Sequence, residues 1–404
     1  MVIGAGPNQI PMIRAAIGRG LNVVATDMDP DAPGFLLCRE HGIVSTRDVE
    51  GSIKYAAEIH KRIPLSGVVT MASESAVTVY SVARELGLPG LDPDKAWLAT
   101  NKVARQKAFF EAAVPSPRFA QANSLPEALL ESEKIGWPVV VKPADSAGSR
   151  GVQLVLGPDD MEKAVEKIQS ITRVEEFLIE EFLEGTEHSI EGVVIDGQVH
   201  WTGFSDRNYD KKHIYPPYFL EDGDTLPTTL TPEILEAGQD ASTDAVRALG
   251  IDWGPVKGDI LIDRDGPKML EMASRLSGDY FCNETVPLHN GINLLEIVLD
   301  LSLGEKIDPA RFREKFHRGV ALRYLWPKPG RVVKISGVEE VKEMKGVHFF
   351  RWEPRWEGIG MGTVITPARS MGERLGSVMA FGKTREEAVE RAENAVKKIK
   401  IETE

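Results

Sequence analysis

The chain has 404 residues, a formal net charge of -13, 42% hydrophobic residues and 27% charged ones. That length exceeds a single hydrophobic core and predicts two or three domains. No stretch approaches the ~18 consecutive apolar residues of a membrane span, and the acidic balance argues against general affinity for nucleic acid or anionic membranes, while leaving room for a local basic pocket that holds a phosphate. The two cysteines, Cys38 and Cys282, stand alone, and the start MVIGAGPNQI has no basic n-region or cleavage site. A soluble, cytoplasmic protein with small-molecule partners is the expectation.

Over the first ninety residues strand and helix patterns alternate. VIGAG (2–6) reads as a short buried strand, PNQIPMIRAAIGRG as a helix stopped by Gly20, LNVVATD as a strand, and GVVTMAS (67–73) as another strand before a helix ending at Leu86. Such alternation is the pattern of a parallel α/β sheet. From about Trp97 helices lengthen and hairpins appear, with strands expected at PVVVKP (138–143), FLIEEFL (177–183) and SIEGVVIDGQVHWTGF (189–204), the last turning at Asp196 and Gly197. A second, α+β domain is expected here. After about Leu303, GVALRYL and GSVMAFG read as strands, and Thr384 with Glu387 forms a capping box that opens a helix presenting Ala388, Ala392, Ala395, Val396 and Ile399 on one face.

Two glycine-rich stretches invite a nucleotide. Gly4 and Gly6 follow a strand, with Asp27 further on, as in the dinucleotide fingerprint, but Gln9 stands where that fingerprint needs its third glycine. A tight strand-to-helix turn is the plainer reading, and its N–H groups can still hold a substrate carboxylate or phosphate. In PVVVKPADSAGSRGV, Pro143 forces Lys142 into an extended conformation. The small residues Ser146, Ala147, Gly148, Ser149 and Gly151 let backbone N–H groups approach an anion. The spacing is not that of a Walker A loop, and a hairpin tip with a solvated lysine is the alternative. Lys102, in TNKVARQKAF, carries no signal by itself.

The sharper signal is DILIDRDGPKMLEMASR (259–275). A three-residue loop of Arg264, Asp265 and Gly266, with glycine in the left-handed position, would set Asp259 directly opposite Glu271. Opposed like charges are destabilising on a sheet face, so a divalent cation is expected between them. Hard carboxylate oxygens suit nucleotide-bound Mg²⁺ better than zinc, for which no clustered Cys/His set is evident. Frayed, solvated acids are the alternative.

Taken in order, Lys102, VVVKP with its Ser/Gly loop, IEEFLEGTEHS, and an acid twelve positions before EMASR resemble the ATP-grasp superfamily. The resemblance covers nearly the whole chain and is of the carboxylate–amine ligase type, similar to L-amino-acid ligases, biotin carboxylase and the large subunit of carbamoyl-phosphate synthetase. It implies an α/β and α+β chain in three parts: a pre-ATP-grasp parallel α/β domain (1–95), a two-lobed ATP-grasp domain (96–305, lid lobe about 110–180) and a mixed carboxyl-terminal region (306–404). It also implies ATP contacts from Lys102, Lys142, the loop Ser146, Gly148, Ser149 and Gly151, the adenine-side strand Glu180, Glu181, Phe182 and Leu183, and Glu187 on the ribose. Asp259 and Glu271 match the Mg²⁺ carboxylates, with Mn²⁺ as a substitute. Arg275 matches the arginine beside the transferred phosphoryl group and the substrate carboxylate, and Lys102 and Lys142 match lysines that contact the ATP phosphates or adenine, Lys142 with a catalytic role. In the common pattern Glu-x-Asn-x-Arg the amide helps bind a second metal ion; Ala273 stands in its place here, as in some amino-acid-ligase relatives.

The activity implied is ATP-dependent joining of a small carboxylate to an amine through an acylphosphate, releasing ADP and phosphate. Relatives are often homodimers. A carboxylase activating bicarbonate and a nucleotide-binding regulator without chemistry are the rival readings. Glu74 is a candidate contact for the amine, its alternative being an acid that stabilises a helix N-terminus. SDRNYDKKHIYPPYF (205–219), rich in charge and aromatics, is a candidate substrate-facing loop, with a solvated insertion as the alternative.

Overall fold

A computed structural model of the chain describes residues 1–146, 148–172, 174–210, 214–326 and 328–404. Ala147 of the glycine loop and Lys211, Lys212 and His213 of the charged loop lie outside the described residues. The chain adopts the mixed α/β and α+β class expected of it. At the amino terminus β1 (Val2–Ile3), β2 (Val24–Asp27) and β3 (Glu40–Ile43) form a parallel sheet in sequence order. The expected strand at 67–73 is reduced to a single parallel bridge from Val69 to Val2. Two backbone bonds, from Ile3 N to Val69 O and from Val69 N to Met1 O, hold it there. The stretch leaves the sheet early because Ala72 takes a positive φ and its N–H turns to the carbonyl of Leu276.

A four-stranded sheet comes next, formed by β4 (Phe119–Ala122), β5 (Val139–Pro143), β6 (Gln153–Val155) and β7 (Phe177–Glu181) in the order β4-β7-β5-β6. Val139, Val141, Phe177 and Ile179 pack on the helix residues Met161, Ala164 and Ile168, so this sheet has its own core. The next strands are β8 (Thr186–Ile195), β9 (Gln198–Arg207), β10 (Asp224–Leu226), β11 (Gly254–Asp263), β12 (Gly266–Ala273) and β13 (Gly319–Leu325). The carboxyl-terminal strands are β14 (Gly330–Ser336), β15 (Val347–Trp352), β16 (Val364–Ile365), β17 (Gly376–Gly382) and β18 (Lys400–Thr403). An eight-stranded sheet takes the order β12-β11-β8-β9-β10-β13-β17-β15, so it extends past residue 305 through β13, β15 and β17. β16, β14 and β18 form a small sheet of their own. Asp196 and Gly197 both have positive φ and turn the β8–β9 hairpin as expected. The amino-terminal sheet shares a core with the eight-stranded one, Ile3 and Val24 joining Ile190, Val256, Ile260 and Met272.

The helix Arg385–Lys398 begins at the expected cap, Thr384 accepting from Glu387 N, and buries Ala388, Ala392 and Ala395. The Glu387 carboxylate reaches back to Lys383 N rather than to the cap residue. No helix among the described residues is long and apolar enough to cross a membrane.

The β11–β12 hairpin does set Asp259 opposite Glu271, by a route other than the expected loop. Pairing closes on Asp263 opposite Gly266, with Gly266 at φ +110, so Arg264 and Asp265 alone form the loop. On that register Asp259 would face Leu270. The register shifts between Ile260 and Asp259, leaving Leu270 unpaired, and this bulge restores the opposition of the acids.

The start of one helix matters for the placement of Lys102. Asn101 opens the helix Lys102–Glu111, its side-chain oxygen accepting from Ala104 N at 2.9 Å while its amide donates to Glu176 at 3.2 Å. Asn101→Ala should lower stability by about 1 kcal/mol, read as a lower urea midpoint. An unchanged midpoint would show that this cap does not hold the helix start in place.

Candidate active site

The four-stranded sheet, the eight-stranded sheet and loops of the amino-terminal part converge on a cleft of about 900 Å³. Strand alternation builds its floor. On β11, Lys257, Asp259 and Leu261 share one face and all line the cleft. Cross-strand pairing then runs Glu271–Asp259–Ser189–Ser205 in one row; beside it Leu261 pairs with Glu187 and Arg207 with Asp224, and Arg207 Nη1 lies 3.6 Å from the Glu187 carboxylate. The charged groups therefore stand on a continuous ladder, which fixes their spacing without relying on loops.

Each acid is matched by cations. Asp259 accepts from Ser189 Oγ at 2.9 Å and from Lys257 Nζ at 2.5 Å, with Arg207 Nη1 at 3.3 Å. Glu271 has Arg105 Nη2 at 3.8 Å and Arg275 Nη2 at 3.9 Å. Glu74 accepts from Arg275 Nε at 3.1 Å and from its Nη2 at 2.6 Å. Burial, the largest influence on all three carboxyls, would raise their pKa values. Lys257 and Arg207 around Asp259, Lys257, Arg105, Lys102 and Arg275 around Glu271, and Arg275 beside Glu74 outweigh it and hold all three below the usual carboxylate range. Burial also pulls Lys102 below its ordinary value, aided by Arg105 and Lys142 and opposed by Glu271 and Glu74. Arg275 is raised, because Glu74 and Glu271 outweigh its desolvation.

The four-stranded sheet supplies the opposite wall. Lys142 donates to Glu180, which also accepts from Gln106 Nε2 at 2.7 Å. Lys102 donates to the carbonyl of Ser146, linking the helix start to the glycine loop. Ser146, Gly148 and Ser149 line the cleft. Gly151 does not: at φ +79, a Cβ there would meet Pro143 at 2.8 Å, so this glycine permits close packing of the loop rather than ligand approach. Along β7 the side chains alternate. Glu180 points to Lys142, and Glu181 pairs with the Nε of Arg118 at 2.7 Å. Phe182, Leu183 and Glu187 line the cleft as well, Phe182 lying near Phe219 at 6.3 Å between ring centres.

The amino-terminal turn is also explained. Gln9 donates to the carbonyl of Met71 at 2.6 Å, and Asp27 accepts from Ala5 N at 2.8 Å. Both polar groups of the apparent fingerprint are used to hold the turn, while Pro7 and Asn8 line the cleft. Glu74 is committed to Arg275. From the charged loop, Arg207, Tyr209 and Phe219 reach the cleft.

Several cleft residues are not singled out by sequence. Lys257 carries a signal, lying two positions before Asp259 on the same strand face, and Arg105 lies three after Lys102 on one helix. Glu353, Met371 and Arg374 come from the carboxyl-terminal region, and no local pattern announces them. Arg374 pairs with Asp279 and has Glu353 at 2.9 Å. Behind Arg275, the fully buried Glu191 accepts from Ser277 N at 2.7 Å and Ser277 Oγ at 2.6 Å, holding the segment after the arginine.

Comparison with known proteins adds to this geometry. Residues 135–283 match the ATP-grasp domain family, and residues 323–404 match the L-amino acid ligase C-terminal domain 2. The chain is 26% identical to the uncharacterized protein y4rH of Sinorhizobium fredii, over 88% of this chain and 72% of that one. The crystal structure of an L-amino acid ligase from Bacillus licheniformis superposes with a TM-score of 0.85 at 24% identity, covering 100% of this chain and 98% of that one. The biotin carboxylase domain of the Hydrogenobacter thermophilus 2-oxoglutarate carboxylase, solved with MgADP, ADP and bicarbonate, superposes at 0.73 with 17% identity, covering 99% and 90%. The two structural likenesses establish a shared fold.

Glu191 gives a pH signature. Burial pushes its carboxyl from 4.5 up to about 7, against the opposing bonds from Ser277. The folded state therefore binds a proton that the unfolded state has already lost, so its contribution is full below pH 4.5 and disappears as pH rises to about 7. At ~1.4 kcal/mol per pKa unit this is on the order of 3 kcal/mol. Glu191→Gln should abolish that loss, so the two proteins' unfolding free energies diverge between pH 4.5 and 7. Parallel profiles would contradict the buried, neutral carboxyl.

Proposed function

The chain carries an ATP-grasp domain and an L-amino acid ligase C-terminal domain 2, and from that premise we propose that it is an ATP-dependent carboxylate–amine ligase. The observation that carries the reading is the ionised pair Asp259 and Glu271, opposed on a rigid ladder beneath a cleft whose walls hold Lys102, Arg105, Lys142 and Arg275. The two carboxylates present hard oxygens and are kept ionised by their surroundings, which fits Mg²⁺ or Mn²⁺. They would hold the ion, which when bound offsets charge on the nucleotide phosphates.

Lys102, Lys142 and the N–H groups of the loop around Gly148 bind the triphosphate, and the segment Glu180 to Leu183 with Glu187 takes the nucleoside. Arg275 forks onto the substrate carboxylate and the phosphoryl group, with Glu74 and Glu271 fixing its orientation. A carboxylate oxygen attacks the γ-phosphorus and the bond to the β-phosphate oxygen breaks, giving ADP and an acylphosphate. The amine nitrogen then bonds to the acyl carbon, phosphate leaves with the former carboxylate oxygen, and the nitrogen loses a proton. Positioning and exclusion of water are the protein's main contributions. Participation of Glu353, Met371 and Arg374 in the cleft supports a ligase over a bicarbonate-activating enzyme, because it brings the ligase-type carboxyl-terminal region to the reacting groups.

The test is ADP release across a panel of amino acids and small carboxylates, with mass spectrometry of the product. A condensation product, heavier than either substrate and lighter than their sum by one water, is expected. ADP release with bicarbonate alone, or with no member of the panel, would defeat the reading. Asp259→Asn and Glu271→Gln should each lower turnover at least about a hundredfold, measured on protein with an unchanged circular dichroism spectrum; full activity in both would refute the metal assignment.

A further inference from the structure

A second metal site is suggested away from the cleft. The segment leading into β13 is laced to the end of the helix Val286–Asn290 by backbone bonds, Lys315 N to Asn290 O at 2.9 Å and Arg318 N to His289 O at 3.0 Å. Three side chains meet at this lacing. The ligand atoms of His289, Glu314 and His317 lie within 4.8 Å of one another. His289 is buried, its Nδ1 is 2.5 Å from the carbonyl oxygen of Arg318, and its ring meets that of His317 edge to face at 4.4 Å. His317 Nδ1 is 3.2 Å from Glu314 Oε2. None of the three lines the cleft.

We propose that His289, Glu314 and His317 bind a zinc-like divalent ion that braces the helix behind the cleft against the entry to β13. A carbonyl facing Nδ1 holds the proton of a neutral His289 on that nitrogen and leaves Nε2 as the lone-pair atom, the arrangement that commonly supports a metal-bound imidazole. Two imidazoles and one carboxylate suit tetrahedral zinc with the fourth position left to water, whereas Mg²⁺ prefers an all-oxygen shell. The two metal preferences in one chain are therefore chemically distinct. Little ordering is needed on binding. His289 is held by its packing and its bond to Arg318, the backbone is already tied, and the exposed Glu314 and His317 have only to turn about their side-chain bonds. The helix concerned comes directly after the cleft residues Ser277, Gly278, Asp279 and Phe281, so an ion here would stiffen the support of that wall.

The experiment titrates the tag-free, EDTA-treated full chain with Zn²⁺ in the presence of excess Mg²⁺, by calorimetry and thermal melting. One equivalent should bind with a rise in melting temperature, and His317→Ala should weaken binding at least about tenfold and remove that rise. Both residues at 314 and 317 are exposed, so the metal-free melting temperature of His317→Ala should equal that of the parent; if it does not, Glu314→Gln takes its place with the same expectation. Absence of Zn²⁺ binding, or equal affinity in the substituted protein, would overturn the site.

Discussion

Charge brought into a partly dry cleft has to be balanced, and the arrangement of this molecule depends on that requirement. Asp259, Glu271 and Glu74 each suffer desolvation that would protonate them, and each is held ionised by Lys257, Arg207, Arg105, Lys102 or Arg275. At an effective protein dielectric of about 20, unit charges ~4 Å apart interact by roughly 4 kcal/mol, enough to outweigh the several kcal/mol that burial costs an ion. The balance holds only if distances are fixed. For Asp259, Glu271, Lys257 and Arg207, placement on paired strands does this, because the ladder spacing is set by backbone hydrogen bonds rather than by the side chains themselves. The Leu270 bulge matters for the same reason: without it, Glu271 would lie on the other face of the hairpin, away from Asp259.

The surrounding architecture brings further cations to this ladder from separate parts of the chain. The helix capped by Asn101 delivers Lys102 and Arg105, and the four-stranded sheet delivers Lys142 with its glycine loop. That sheet packs around its own core, while the amino-terminal sheet and the eight-stranded sheet share one. The cleft thus lies between a composite base and a separately packed wall. The carboxyl-terminal region joins the base through β13 and β17 and adds Arg374 and Glu353 to the rim. A cleft with cations along one wall and acids on the floor is suited to a metal-complexed polyphosphate beside a carboxylate, which is the chemistry proposed.

Much of this is legible from residue order. The opposition of Asp259 and Glu271 is readable because glycine marks the hairpin and acids within apolar strands are conspicuous. The route to it is not: a bulge at Leu270 depends on neighbouring strands, and no local preference distinguishes Leu270 from Met269 or Met272. The strand at 67–73 has the right apolar run, yet the positive φ of Ala72 and its bond to Leu276 come from packing against a distant part of the chain. In sequence Glu74 reads as an amine contact or a helix N-terminal acid, because its partner is about 200 positions away; the bond to Arg275 is a product of the tertiary fold. Gln9 argues against a dinucleotide fold for a reason visible in three dimensions, since its side chain fills the turn where a third glycine would leave space. Arg374 and Glu353 lie in a region whose sequence offers only ordinary strand and helix patterns.

In the proposed reaction a substrate carboxylate is phosphorylated before an amine displaces the phosphate. Oxygen transfer tests it most directly. With a carboxylate substrate labelled with ¹⁸O and identified by the ADP-release panel, each phosphate released during product formation should carry one ¹⁸O atom. Product formed with unlabelled phosphate would contradict it.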